Sequence, residues 1–209
     1  MTTCIRLANA ADGAALAAIY RPAVVEHATS FELDPPDAAE MAGRVAEVAG
    51  RLPWLVCERE GSVIGYAYAA PHRTRPAYQW SVDVSVYVRA DAHRAGVGRA
   101  LYTSILAVLA LQGFRNVYAG ITLPNPASEG LHCRLGFTPV GVYRGVGYKH
   151  GRWHDVAWFE RPLAPRTPEP PVPRTLAELM ADGEGEALAA ALAAGAPYPH
   201  LGGTAPVPP

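Results

Sequence analysis

The stretch His93-Arg94-Ala95-Gly96-Val97-Gly98-Arg99-Ala100-Leu101 decides the fold. Before it lies an apolar, β-branched run, Val82 to Val88, and after it a helical pattern from Arg99 to Leu111. A strand feeding a glycine turn feeding a helix is a ready anion site, because the turn's N–H groups and the helix N-terminus point at one place. Gly96 and Gly98 carry no Cβ, so the backbone can approach a ligand closely. Arg94 and Arg99 add guanidinium charge, which suits phosphate. A short glycine match also fits an ordinary turn, so the flanking sequence has to separate the two readings.

Outward from that turn, hydrophobic periodicity predicts a strand over Cys4–Ala8 and a helix over Asp12–Ala28, capped by Asp12 and kinked or broken at Pro22. A second helix over Ala38–Ala49 starts at Asp37, with Glu40 placed as in a capping box. Trp54–Arg59 and Val63–Ala70 flank Gly61-Ser62 as a hairpin. After Ser81–Val88 and the Arg99–Leu111 helix come a strand Asn116–Thr122, a helix Ser128–Leu135, and strands Phe137–Tyr143 and Trp153–Glu160. The order β-α-α-β-β-β-α-β-α-β-β predicts a mixed α/β layer fold.

The chain changes character after Leu163, and ten of the 20 prolines follow it. The sequence divides into a domain over 1–163 and a Pro/Ala-rich extension over 164–209. Within the extension, Arg166–Pro173 reads as an extended linker. Thr175–Ala194 reads as short helices interrupted at Gly183 and Gly185, with Leu176, Leu179, Met180, Leu188 and Leu192 as an apolar stripe. Residues 202–209 read as disordered.

Composition narrows the function. Half of the 209 residues are hydrophobic, enough for a sizeable core, and the formal charge of -1 gives no electrostatic footprint for nucleic acid. Cys4, Cys57 and Cys133 have no CxxC spacing, so neither a disulfide framework nor a zinc site is expected; Cys57 and Cys133 read as buried thiols. There is no 18-residue apolar span and no signal-peptide pattern, which predicts a soluble cytoplasmic protein without a membrane partner.

Alternation puts Asp83, Ser85 and Tyr87 on one strand face, and Val82, Val84, Val86 and Val88 on the other. A carboxylate within such an apolar run is desolvated, which raises its pKa and fits it to act as a base. Asn125 and Ser128 lie at a helix N-terminus, as caps or as ligand contacts, with His132 one turn on. Arg73, Arg75 and Tyr78 precede the Asp83 strand and are candidates to hold an acidic substrate group. The run Tyr148–Asp155 is polar, but His150, His154 and Asp155 fit no standard zinc spacing, and no metal is expected.

Four segments carry a family resemblance: Ala77–Asp83 with Val86-Tyr87-Val88; Arg94–Gly98; Leu123-Pro124-Asn125 with Leu131-His132 and Leu135-Gly136-Phe137; and Gly147–Val156. Over about residues 4–163 the sequence resembles the GNAT superfamily of acyl-CoA N-acyltransferases, and within it the phosphinothricin and methionine sulfoximine N-acetyltransferase group. The resemblance implies a mostly antiparallel central sheet flanked by helices, acetyl-CoA as donor, a small amino-acid-like amine as acceptor, and a homodimer. It implies pantetheine along Val86, Tyr87 and Val88, the pyrophosphate over Arg94, Ala95, Gly96, Val97, Gly98 and Arg99, and further donor contacts at Asn125 and Ser128. It assigns Asp83 as the base and His132 as proton donor to the departing sulfur. Arg75, Tyr78, Ser85 and Thr122 are the expected acceptor-side residues.

Three departures from the group stand out. Asp83 occupies a position where the group usually has Glu, one methylene longer. His93 opens the glycine motif in place of Gln or Arg. Thr122 stands where close relatives have a small residue. They leave open acetylation of a different amine, and an acyl-CoA-binding regulatory module with weak catalysis.

Overall fold

The computed structural model describes residues 3–196; the expectation for 202–209 lies outside them. The strands are β1 (Thr3–Leu7), β2 (Trp54–Arg59), β3 (Ser62–Pro71), β4 (Ser81–Val88), β5 (Asn116–Thr122), β6 (Thr138–Lys149) and β7 (Arg152–Pro162). The helices are α1 (Gly13–Val25), α2 (Ala38–Val48), α3 (Val97–Gln112), α4 (Pro126–Arg134), α5 (Leu176–Ala181) and α6 (Gly185–Ala193). One seven-stranded sheet has the order β1-β2-β3-β4-β5-β7-β6. Every neighbouring pair is antiparallel except β4 and β5.

Strand alternation sorts the core into two layers. Leu55, Cys57, Ala67, Ala69, Val82 and Val84 face α3, whose Val97, Leu101, Ile105 and Leu109 recur at helical spacing. Trp54, Val56 and Tyr66 point the other way and meet Leu16, Ile19, Tyr20 and Val24 of α1 and Met41 and Val45 of α2. α1 and α2 touch closely at Gly13, where a Cβ would stand 2.3 Å from the Ala38 carbonyl oxygen. Pro22 lies inside an unbroken α1 rather than dividing it. Asp12 does not cap α1 with its side chain: the carboxylate accepts from Arg6 at 2.8 Å through both oxygens and from the Asn9 N–H at 2.8 Å.

α3 is apolar on two sides because it is covered on two sides. Its outer flank at Val108 and Leu111 meets Leu176, Leu179 and Leu188 of α5 and α6, while Met180 stays exposed. Polar links fix the same segment: the Gln112 side chain donates to the Arg51 and Arg174 carbonyls, Trp80 Nε1 to the Pro171 carbonyl, and Ser104 Oγ to the Leu192 carbonyl. Two further sequence expectations change. β6 continues to Lys149, past Tyr143, through an irregularity whose Gly145 N–H donates to Asp155. Cys133 is exposed, because it lies on the outer face of α4, whereas Cys57 is buried.

Candidate active site

The sheet opens in its middle. β4 and β5 pair only over Ser81–Asp83 and Asn116–Tyr118; beyond that point β5 continues on β7 alone, and β4 on β3 alone. Parallel neighbours that part in this way leave a wedge with a free backbone edge along Val84–Val88. Peptide groups on such an edge seek partners. Val86 and Val88 line the wedge with half-buried side chains, and the Tyr87 ring is packed against Tyr20 and Tyr66, at 4.8 and 5.3 Å between centroids. At Tyr87, therefore, the backbone is the part free to meet a ligand.

The glycine turn closes the far end of the wedge. Arg94 and Gly96 both have left-handed backbone, at φ 60° and 84°. Gly96 caps α3 with no side-chain hydrogen bond, so the N–H groups of the first turn keep their donors for an outside acceptor. A Cβ at Gly98 would come into van der Waals contact with the Leu131 and Val88 side chains, at 3.4 and 3.8 Å, and its absence keeps the first turn of α3 uncovered. The Arg94 and Arg99 side chains are exposed, and among the described residues neither forms an ion pair. The His93 ring nitrogen Nε2 donates to the Val88 carbonyl at 2.9 Å and ties the turn to the end of β4. An uncapped helix start, a left-handed turn and free guanidinium groups fit a diphosphate.

Asp83 lies where the wedge begins. His72, in the segment after β3, donates through Nδ1 to Asp83 Oδ1 at 2.6 Å. Burial pushes the Asp83 carboxyl above the usual carboxylate range, against the opposing pull of His72. The His72 ring stacks on Tyr118 at 4.4 Å, and Tyr78 and Trp158 stand near 6 Å from it. His72, Arg73, Tyr118, Tyr143 and Trp158 line a cavity of about 280 Å³, large enough for part of an amino-acid-sized molecule. Arg75 and Tyr78 are exposed at the 3-10 turn above it, Ser85 hydrogen-bonds Tyr68, and Thr122 sits half-buried at the end of β5. His72, Tyr118 and Trp158 escaped the sequence reading. The hairpin register, which sets Ala70 opposite Asp83, was the signal that places residue 72 near the carboxylate.

α4 follows the cis Leu123–Pro124 bond, and Asn125 Oδ1 accepts the Ser128 N–H at its start. His132, one turn on, is 3% exposed. Its Nδ1 lies 2.8 Å from the Ser128 carbonyl, which can only accept, so Nδ1 carries the proton and Nε2 accepts from Tyr102 Oη at 2.9 Å. Burial holds its pKa down, and both ring nitrogens are engaged. In the Tyr148–Asp155 segment the His154 ring bonds the Lys149 carbonyl, and Asp155 bonds Gly145. Among the described residues no group of three His, Cys, Asp or Glu side chains is arranged to hold a metal ion.

This wedge, glycine turn and half-buried carboxylate occur on a chain that matches the Acetyltransferase (GNAT) domain family over residues 5–158. The chain belongs to that family and is an N-acetyltransferase by class. It is 43% identical over 169 residues to phosphinothricin N-acetyltransferase of Streptomyces viridochromogenes, covering 81% of this chain and 91% of that one. It is 34% identical over 172 residues to the L-methionine sulfoximine/L-methionine sulfone acetyltransferase of Pseudomonas aeruginosa, covering 81% of this chain and 100% of the other. The structure of a GNAT superfamily phosphinothricin acetyltransferase from Sinorhizobium meliloti, in complex with AcCoA, superposes with a TM-score of 0.76 at 39% identity, covering 81% of this chain and 95% of that one.

Proposed function

We propose that the protein transfers the acetyl group of acetyl-CoA to the amino group of a small amino-acid-like substrate of the phosphinothricin or methionine sulfoximine kind, and so detoxifies it in the cytoplasm. The observation that carries this reading is the β4–β5 wedge, with Asp83 at its apex and the uncapped α3 at its mouth. Acetyl-CoA supplies an activated thioester; the rest is done by the chain. Val86, Tyr87 and Val88 offer a backbone edge for the pantetheine arm, and a backbone N–H there polarises the thioester carbonyl. Arg94 to Arg99 receive the pyrophosphate, and Asn125 and Ser128 flank it.

Removal of a proton from the acceptor ammonium depends on the Asp83 carboxylate. His132 is the proton donor to the departing sulfur: its Nδ1–H bond, which rests on the Ser128 carbonyl, breaks and the proton goes to the thiolate, while Tyr102 holds Nε2. Arg75 and Tyr78 stand where they can grip the acceptor's acid group, with Ser85 and Thr122 on the cleft wall. Residues 1–163 form the transferase domain and 164–209 its extension, and two copies form the active assembly, as the family resemblance implies. The half-buried Thr122 and the short Asp83 favour, as a second reading, a different amine as natural acceptor. Thiol release from acetyl-CoA with phosphinothricin, methionine sulfoximine and the ordinary amino acids separates these readings. No turnover of any of them, with acetyl-CoA bound, would overturn the first and leave a binding module.

A further inference from the structure

The sequence gives this chain an aspartate where a longer carboxylate is usual in the group it resembles. The structure places an imidazole against that aspartate. Asp83 Oδ1 is taken by His72 Nδ1 at 2.6 Å. A carboxylate oxygen only accepts, so Nδ1 carries the hydrogen, and in the neutral tautomer that this selects Nε2 has the lone pair. Among the described residues Nε2 has no hydrogen-bond partner, and the ring forms part of the cavity wall with Arg73, Tyr118, Tyr143 and Trp158. Stacking on Tyr118 fixes the ring plane across the root of the wedge, from β4 to β5.

We propose that His72 is the catalytic base of the acetyl transfer and that Asp83 is its positioning partner, the two forming a carboxylate–imidazole pair whose Nε2 faces the acceptor amine. The pairing rests on the N-acetyltransferase reading above. In the step, an N–H bond of the substrate ammonium breaks and its electron pair stays on nitrogen, which becomes the nucleophile. The proton forms a new N–H bond at His72 Nε2. The resulting imidazolium is stabilised by the Asp83 carboxylate through Nδ1–H, the logic by which a buried aspartate supports histidine in hydrolytic triads. The imidazole also restores the reach that the shorter side chain lacks. The charged and titratable groups around it are Asp83 on β4, Arg73 and Tyr78 in the segment between β3 and β4, Tyr118 on β5 and Tyr143 on β6; Glu160 and Arg166 act on Tyr118 from behind.

Four forms of the full chain test this: wild type, His72→Phe, His72→Asn and Asp83→Ala. Phenylalanine keeps the stack on Tyr118 and removes both nitrogens; asparagine keeps a donor for Asp83 without a second nitrogen. A general base contributes about 10²–10⁴-fold. His72→Phe and His72→Asn should therefore both lose on the order of 10²-fold or more in kcat, with KM for acetyl-CoA little changed, and both should lose the acid limb of the pH profile. Asp83→Ala should be impaired but faster than His72→Phe. Recovery of most activity by His72→Asn would reduce His72 to a structural prop. Asp83→Ala slower than His72→Phe would make Asp83 the base. Either result overturns the proposal while leaving the acetyltransferase reading intact. Nitrogen-15 spectra of His72 need no turnover: a protonated Nδ1 with bare Nε2 is expected, and the opposite tautomer overturns the proposal even for a chain that acetylates nothing.

Discussion

Asp83 and Asp12 are both carboxylates set in mostly apolar surroundings, and the contrast between them shows what a partner decides. Asp12 is 6% exposed, and the Arg6 guanidinium holds its carboxyl below the usual range. Asp83 has an imidazole instead of a guanidinium, and burial carries it upward. The first is built to stay charged and hold the start of α1; to the second we assign, as proposed above, a part in proton traffic. Asp83→Ala should lower kcat, by less than the 10²-fold or so expected on losing the His72 base, with little change in acetyl-CoA binding; unchanged turnover would remove it from the mechanism. Asp12→Ala should instead cost about 2–4 kcal/mol of stability, seen as a lower midpoint in urea, because it leaves Arg6 with Glu58 as its one remaining carboxylate and the Asn9 N–H without an acceptor.

The signs of the pH dependence follow from the same groups. For Asp12 and Glu32, held low by Arg6 and Arg44, the stabilisation is present above the unfolded carboxylate value and is lost as pH falls through the folded one. For His132, whose folded pKa is lowered by burial, the unfolded chain binds the extra proton first, so stability already declines as pH drops below the ordinary histidine value. Acid denaturation followed by circular dichroism should show an early decline below about pH 6.5 that is absent in His132→Phe, then a steeper one in the carboxylate range common to both proteins.

At the scale of elements, most of the layer pattern was legible because each period matched a burial face. The alternation of Val82, Val84 and Asp83 in β4 and the glycine turn before α3 read directly. What escaped depended on pairing between distant segments. Nothing in Val84–Val88 states that β5 will leave β4 after Tyr118, since parting is a property of two strands. His72 drew no reading from the sequence, because what sets it beside Asp83 is the β3–β4 register. The length of β6 was hidden by the irregularity near Gly145, which breaks the alternation. The turn supports its own prediction: Gly98→Val puts a side chain over the first turn of α3, where it meets only the Leu131 and Val88 side chains, so KM for acetyl-CoA should rise about tenfold or more, with a melting temperature only slightly lowered. A large drop in melting temperature would mean the glycine serves packing instead.

For the whole molecule, the described residues beyond Leu163, up to 196, are part of the packed body. Leu176, Leu179 and Leu188 are buried against α3, and burying such a side chain is worth about 1.5–3 kcal/mol each. Removing residues 164–209 would expose that flank of α3 and free the Gln112 and Ser104 contacts. The shortened chain should melt many degrees lower and aggregate on heating. A truncated protein with wild-type melting would show that the docked helices add little.

The opening between β4 and β5 has a thermodynamic meaning of its own. A sheet with a gap at its centre is an incomplete sheet, and in the function we propose the donor substrate takes the place of the missing strand. Occupancy then counts as folding: a ligand that binds only the native state adds RT ln(1 + [L]/Kd), about 2.7 kcal/mol at a hundredfold excess over Kd. The enzyme is accordingly most rigid when charged with its donor, and its susceptibility to proteolysis within β4 and the glycine turn becomes a gauge of the acetyl-CoA around it.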